Sequence, residues 1–158
     1  MCVNRELKKF EGLQSFFKSE EYPGDKRFER LQDNFNDKML EVYLLFYHAV
    51  LPCFTNFNKL LQKEEPLIYT LHDAQQRFMN KLASRFVKPE VIQIHKEENI
   101  SFSSLSLSFS DQKDDINLGI GFLTRQQIQK LLNEGDITEA QVDVFYDGVP
   151  QFFVTTYR

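Results

Sequence analysis

The stretch Glu41-Val-Tyr-Leu-Leu-Phe-Tyr-His-Ala-Val-Leu-Pro-Cys-Phe54 is apolar on nearly every side when wound into a helix. Met39 and Leu40 extend it backward. Phe57, Leu60 and Leu61 carry it forward to about Gln62. A helix without a polar face belongs at the centre of a bundle, where neighbours cover it all round. Asn36 or Asp37 suits its N-cap. Pro52 cannot donate to the Tyr47–His48 turn, so a kink is expected there. Residues 42–58 contain no Asp, Glu, Lys or Arg, which raises a membrane span as the competing reading. A span needs about 20 mostly apolar residues. His48, Pro52, Thr55, Asn56 and Asn58 interrupt this one, so it reads as a buried central helix.

Upstream, Val3, Leu7, Phe10, Leu13 or Gln14, and Phe17 recur at helical spacing. Tyr22-Pro-Gly-Asp25 is a turn signal. Phe28, Leu31 and Phe35 then mark a short amphipathic helix ending near Asn34-Phe-Asn36. Downstream, Pro66 fits the first turn of a fourth helix, with Glu64 and Glu65 near its positive end. Leu67, Leu71, Ala74, Phe78 and Leu82 form its expected buried stripe, and Lys88-Pro89 its stop. A short turn of helix through Val91 and Ile92 follows.

Residues 96–118 change character and become rich in serine. Leu105, Leu107 and Phe109 alternate as in a strand. No partner strand is evident, so this region reads as a long loop, with a short strand near 105–109 as the alternative. Thr124 with Gln127, and Thr138 with Gln141, have the spacing of capping boxes. They open a final helical pair in residues 119–158, with Gly135 suited to the C-cap of the first. Gly148 and Pro150 should weaken the second. The expected fold is therefore all-α: an irregular bundle of about five to six helices, with residues 1–95 as its main part and 119–158 packing on the same domain.

Composition narrows the function. Residues 1–99 balance 15 basic against 15 acidic side chains, while residues 100–158 hold 4 against 8, which accounts for the net charge of −4. A dedicated nucleic-acid binder normally carries a basic excess. Cys2 and Cys53 give neither a disulfide framework nor a four-ligand zinc pattern. The opening Met1-Cys-Val-Asn-Arg-Glu lacks the apolar run of a signal peptide.

Chemistry-bearing patterns are sparse. His48, His72 and His95 are scattered and show no metal-ligand spacing. Nucleophilic catalysis needs a base and an orienting third group, and neither Gly-x-Ser-x-Gly nor a cysteine–histidine signature is present. Glu64-Glu65, Glu97-Glu98 and Asp114-Asp115 are adjacent pairs, whose side chains diverge in helix or strand. Gly119-Ile-Gly121 lacks the remaining residues of a phosphate-binding loop. No catalytic, cofactor or metal residue is therefore assigned. Arg77, Lys81, Arg85 and Lys88 form a basic stripe on the fourth helix, a candidate phosphate-contact face for weak DNA binding. An ordinary solvated face is the competing reading. Sixteen phenylalanines suit a core, and an exposed interaction patch as the alternative.

Several segments together resemble a known family. They are Cys2-Val-Asn-Arg5, Leu13-Gln-Ser-Phe-Phe17, Met39-Leu-Glu-Val-Tyr-Leu-Leu-Phe-Tyr47, Leu51-Pro52, Phe57-Asn-Lys-Leu-Leu-Gln62, Lys81-Leu-Ala-Ser-Arg-Phe-Val-Lys-Pro89 and Ile120-Gly-Phe-Leu-Thr-Arg125. Their order is similar to that in the helical insertion of hAT superfamily transposases and of host proteins derived from them. The resemblance is more specific over 39–92 and 119–146 than over 96–116. It implies that the nuclease core, with its three acidic metal ligands, lies outside these residues, and that the chain is a remnant or fragment. A tryptophan that helps hold flipped DNA in some active relatives has no counterpart, because the chain has none. The expectation is a non-catalytic helical scaffold for a protein partner or self-association, nuclear by resemblance. An accessory DNA-binding module is the alternative. No cofactor, membrane association or small-molecule ligand is expected.

Overall fold

The computed structural model describes residues 2–19, 25–63, 68–97 and 109–157. Among them stand seven α-helices: α1 (Cys2–Ser19), α2 (Lys26–Asn36), α3 (Met39–Leu61), α4 (Ile68–Phe86), α5 (Pro89–Glu97), α6 (Phe122–Glu134) and α7 (Glu139–Tyr157). The all-α expectation holds, with more helices than the five or six anticipated. The extra one is α5, nine residues long where a single turn was expected; Pro89 sits at its first position, where a missing N–H costs nothing. Leu105 and Leu107 lie outside the described residues. From Phe109 the chain forms 3₁₀ turns at Phe109–Asp111 and Asp115–Asn117, and among the described residues its extended pairing is an isolated antiparallel bridge between Val87 and Gln112.

Residues fall into two compact units, Met1–Ala49 with Gly121–Val142, and Val50–Ile120 with Asp143–Arg158. Each is assembled from segments distant in sequence.

In the first unit, α1 and α2 form a hairpin sealed by rings. Phe17 stacks on Phe35 with centroids 4.9 Å apart, and it also meets Phe28 at 5.2 Å. Two glutamines close the seam: Gln14 Nε2 donates to the Phe35 carbonyl (3.0 Å) and Gln32 Nε2 to that of Phe17 (2.7 Å). Asp25 caps α2, accepting from the N–H groups of Arg27 and Phe28. Asp37 Oδ1 accepts from Met39 N at the start of α3 (2.9 Å), the role its sequence position suggests.

The two expected capping boxes have different outcomes. Thr138 and Gln141 make theirs: Gln141 N donates to Thr138 Oγ1 (3.3 Å) and Thr138 N to Gln141 Oε1 (2.9 Å). Thr124 does not cap. The helix already begins at Phe122, behind Gly121 at φ +98°, and Thr124 is fully buried within its first turn. Gln127 instead donates across to Glu41 Oε2 (2.8 Å). Burial holds the Glu41 carboxyl above the ordinary glutamate range. Gly121 is required twice over, since its φ disfavours any side chain and a Cβ would come within 2.6 Å of Ala49 Cβ. Gly135 ends α6 in the left-handed conformation, with Gly135 N bonded to Leu132 O and Asp136 N to Leu131 O, the double bond of a Schellman turn.

In the second unit, the core gathers Val50, Leu82, Ala83, Phe86, Val87, Ile120, Phe145 and Phe153. Phe86 and Phe153 stack nearly parallel, 5.3 Å apart. Both internal prolines stay within helix: α3 continues through Pro52 and α7 through Pro150. The expected weakening of α7 near Gly148 and Pro150 does not interrupt it. Phe145, Val149 and Phe153 are buried on either side of Pro150, and tertiary packing of this kind overrides local propensity. Among the described residues, no helix is long and apolar enough to cross a membrane.

Candidate binding groove

The two ends of α4 meet very different surroundings within the second unit. At its C-terminal end, the last carbonyls of a helix have no partner within the helix itself. Here the chain at 109–120 supplies donors for them. Lys113 Nζ reaches the carbonyl of Ser84 (2.7 Å), Gly119 N that of Arg85 (2.6 Å) and Lys113 N that of Phe86 (2.7 Å). A cation at a helix C-terminus also complements the helix dipole. Burial pulls the Lys113 ammonium below its usual pKa. Gly119 approaches so closely that a Cβ would stand 2.9 Å from Arg85 Cα.

This arrangement divides the basic stripe. Arg85 Nη1 donates to the Gly119 carbonyl (2.7 Å), and Lys88 Nζ to that of Ser110 (2.8 Å). Both are engaged in holding the 109–120 segment on α4. Arg77 and Lys81 lie elsewhere: they are exposed and line an open groove of about 350 Å³ between the second half of α3 and the Thr70–Lys81 part of α4.

The groove follows from helical spacing. On α3, Cys53, Asn56, Phe57 and Leu60 stand at intervals of three, one and three, and so share a face. On α4, Thr70, Asp73, Ala74, Arg77, Phe78 and Lys81 do the same. Phe78 props the two helices, stacking on Phe57 at 4.6 Å and meeting Phe54 edge-on at 5.4 Å. Ala74, one turn earlier, is too small to fill the same gap. The expected buried stripe of α4 is thus closed at Leu82, half-open at Ala74 and Phe78, and exposed at Leu71 (39%). Leu67 lies outside the described residues. Cys53, read from sequence as a small buried hydrophobe, is 4% exposed on the floor.

The remaining candidates stay apart. His72 is exposed, and His95 Nδ1 sits 3.0 Å from the Val91 carbonyl of its own helix. His48 belongs to the first unit. Asp114 and Asp115 are exposed, while Glu64, Glu65 and Glu98 lie outside the described residues. Among the described residues, no group of three or more His, Cys, Asp or Glu could hold a metal ion. Sequence reasoning missed Asn56, Phe57 and Asp73 as groove residues. The available signal was Ala74, a small residue within an otherwise bulky stripe. No family model, curated protein or solved structure matches the chain.

Proposed function

We propose that this chain is a non-catalytic helical scaffold for protein association, a remnant or fragment of the helical insertion of a hAT-type transposase, with the α3/α4 groove as its contact surface. The observation that carries the association reading is the groove's apolar floor of Cys53, Phe57, Leu60, Ala74 and Phe78, left open beside exposed polar side chains. Open apolar concavities with a polar rim are typical partner sites. The origin rests on the sequence resemblance alone, as does a nuclear location.

The test uses a dye that fluoresces on apolar surfaces. Wild type should enhance its emission, and Ala74→Phe, which fills the gap beside Phe78, should reduce that enhancement while leaving helicity unchanged. Failure of the wild type to bind the dye would sink the reading.

An accessory DNA contact is the second reading, favoured by the exposure of Arg77 and Lys81 one turn apart. Two phosphate contacts predict a log–log salt slope of roughly −2. Absence of duplex binding at low salt counts against it.

A further inference from the structure

Asp73, Arg77 and Lys81 follow one another at intervals of four along the α4 edge of the groove, and all three are exposed. On a helix that spacing forms a row, with about 6 Å of rise between successive members. Beside it runs the apolar row of Ala74 and Phe78. The facing α3 edge offers the neutral Asn56. Asp73 and Arg77 have the spacing of an intrahelical ion pair but do not form one; among the described residues, the ion pair present is Lys38–Asp136. The α4 edge therefore presents a directional pattern of one negative and two positive charges to whatever enters.

We infer that the groove receives an amphipathic helix whose α4-facing edge carries two acidic residues one turn apart, opposite Arg77 and Lys81, and a basic residue opposite Asp73. This rests on the groove being a partner site. A helix satisfies its own backbone N–H and C=O groups, whereas an extended peptide on the same floor would have to find water or groove side chains for them. Helix-in-groove docking places apolar anchors at i, i+3 or i+4, and i+7. From Thr70 to Lys81 the edge rises about 17 Å, so three turns of partner helix, roughly 12 residues, cover it. The mixed charge order fixes the partner's direction as well as its register, because reversing the helix opposes like charges.

The probe is a displayed library of 14-residue peptides, with leucine or phenylalanine fixed at helical spacing and the flanking positions randomised, selected on the full chain. Wild type should enrich Asp or Glu pairs four residues apart. Selection on Arg77→Glu/Lys81→Glu should enrich Lys or Arg at those positions, and Asp73→Lys should change the third position to acidic. A wild-type-selected peptide should bind about three- to tenfold more weakly to the doubly reversed chain at low salt, as expected for two exposed pairs, with the gap narrowing at high salt. Circular dichroism checks that these surface substitutions leave the fold intact. Enrichment of apolar anchors without charge preference, or a preference unmoved by the reversals, overturns the charge register and leaves the groove reading standing. Equal enrichment on wild type and Ala74→Phe overturns the groove reading itself. Duplex DNA binding abolished by the double reversal, with no peptide enriched, overturns both in favour of phosphate contact.

Discussion

The two halves of α4 are made from one continuous apolar pattern, yet one is closed and the other open. From Leu82 to Val87 the apolar side chains are buried and the helix end is met by donors from 109–120. From Thr70 to Lys81 the same helix lines a groove. The difference is in what arrives opposite. Phe153 and the 109–120 segment reach the closed half, while Phe57 and Phe78 hold the open half apart as props. An apolar stripe specifies that a helix face wants cover; the partner's size and position determine whether it receives any.

Truncating the rings at each half should separate them most clearly. Phe86→Ala removes a fully buried ring and should cost about 3–5 kcal/mol. Phe78→Ala removes a half-buried one and should cost less, about 1–3 kcal/mol by its smaller lost area. Urea unfolding measures both. Equal losses would mean that the groove is as closed as the core.

Gly119→Ala tests the close approach at the closed end. Its Cβ would press on Arg85 backbone as well as side chain, so overpacking of about 1–3 kcal/mol is expected. A neutral result in thermal melts would show that the 109–120 segment can move off the helix freely. Arg77→Ala, on the open half, should change stability by no more than about 0.5 kcal/mol, as for an exposed side chain without an ion-pair partner. A larger loss would assign it a structural role.

The smallest expected effect is a pH dependence confined to the closed end. Lys113 has a folded pKa below the ordinary lysine value of 10.5. Between the two values the unfolded chain binds more protons, so this group's contribution raises stability with pH across that window and loses it as pH falls through the folded value. Comparing unfolding free energies of wild type and Lys113→Met across that range should show the slope in wild type alone. Matching slopes would remove burial as a constraint on this ammonium.

Local signals carried much of the fold into the sequence. Asp25, Asp37, Thr138 with Gln141, and Gly135 each mark a helix end that the backbone then adopts. They are legible because each acts within one turn. Thr124 misleads for the same reason: its spacing to Gln127 is right, but Gln127 finds Glu41, 86 residues away, and the hydroxyl is buried. Pro150 misleads because propensity cannot report the burial of Phe145 and Phe153 around it. At the groove, the cations were visible but their division was not. Arg85 and Lys88 are claimed by Gly119 and Ser110, carbonyls from a segment whose docking leaves no local periodic trace.

The stacking of Phe86 on Phe153 also sets a schedule for synthesis. Roughly 70 residues separate the two rings, about 4–14 s of translation at ordinary rates. Leu82 and Phe86 leave the ribosome long before the ring that shields them. During that interval the nascent chain presents apolar side chains without their cover, and a chaperone that holds apolar segments has a target there. Slowing translation anywhere between residues 86 and 153 should prolong that exposure, and slowing it before residue 82 should not.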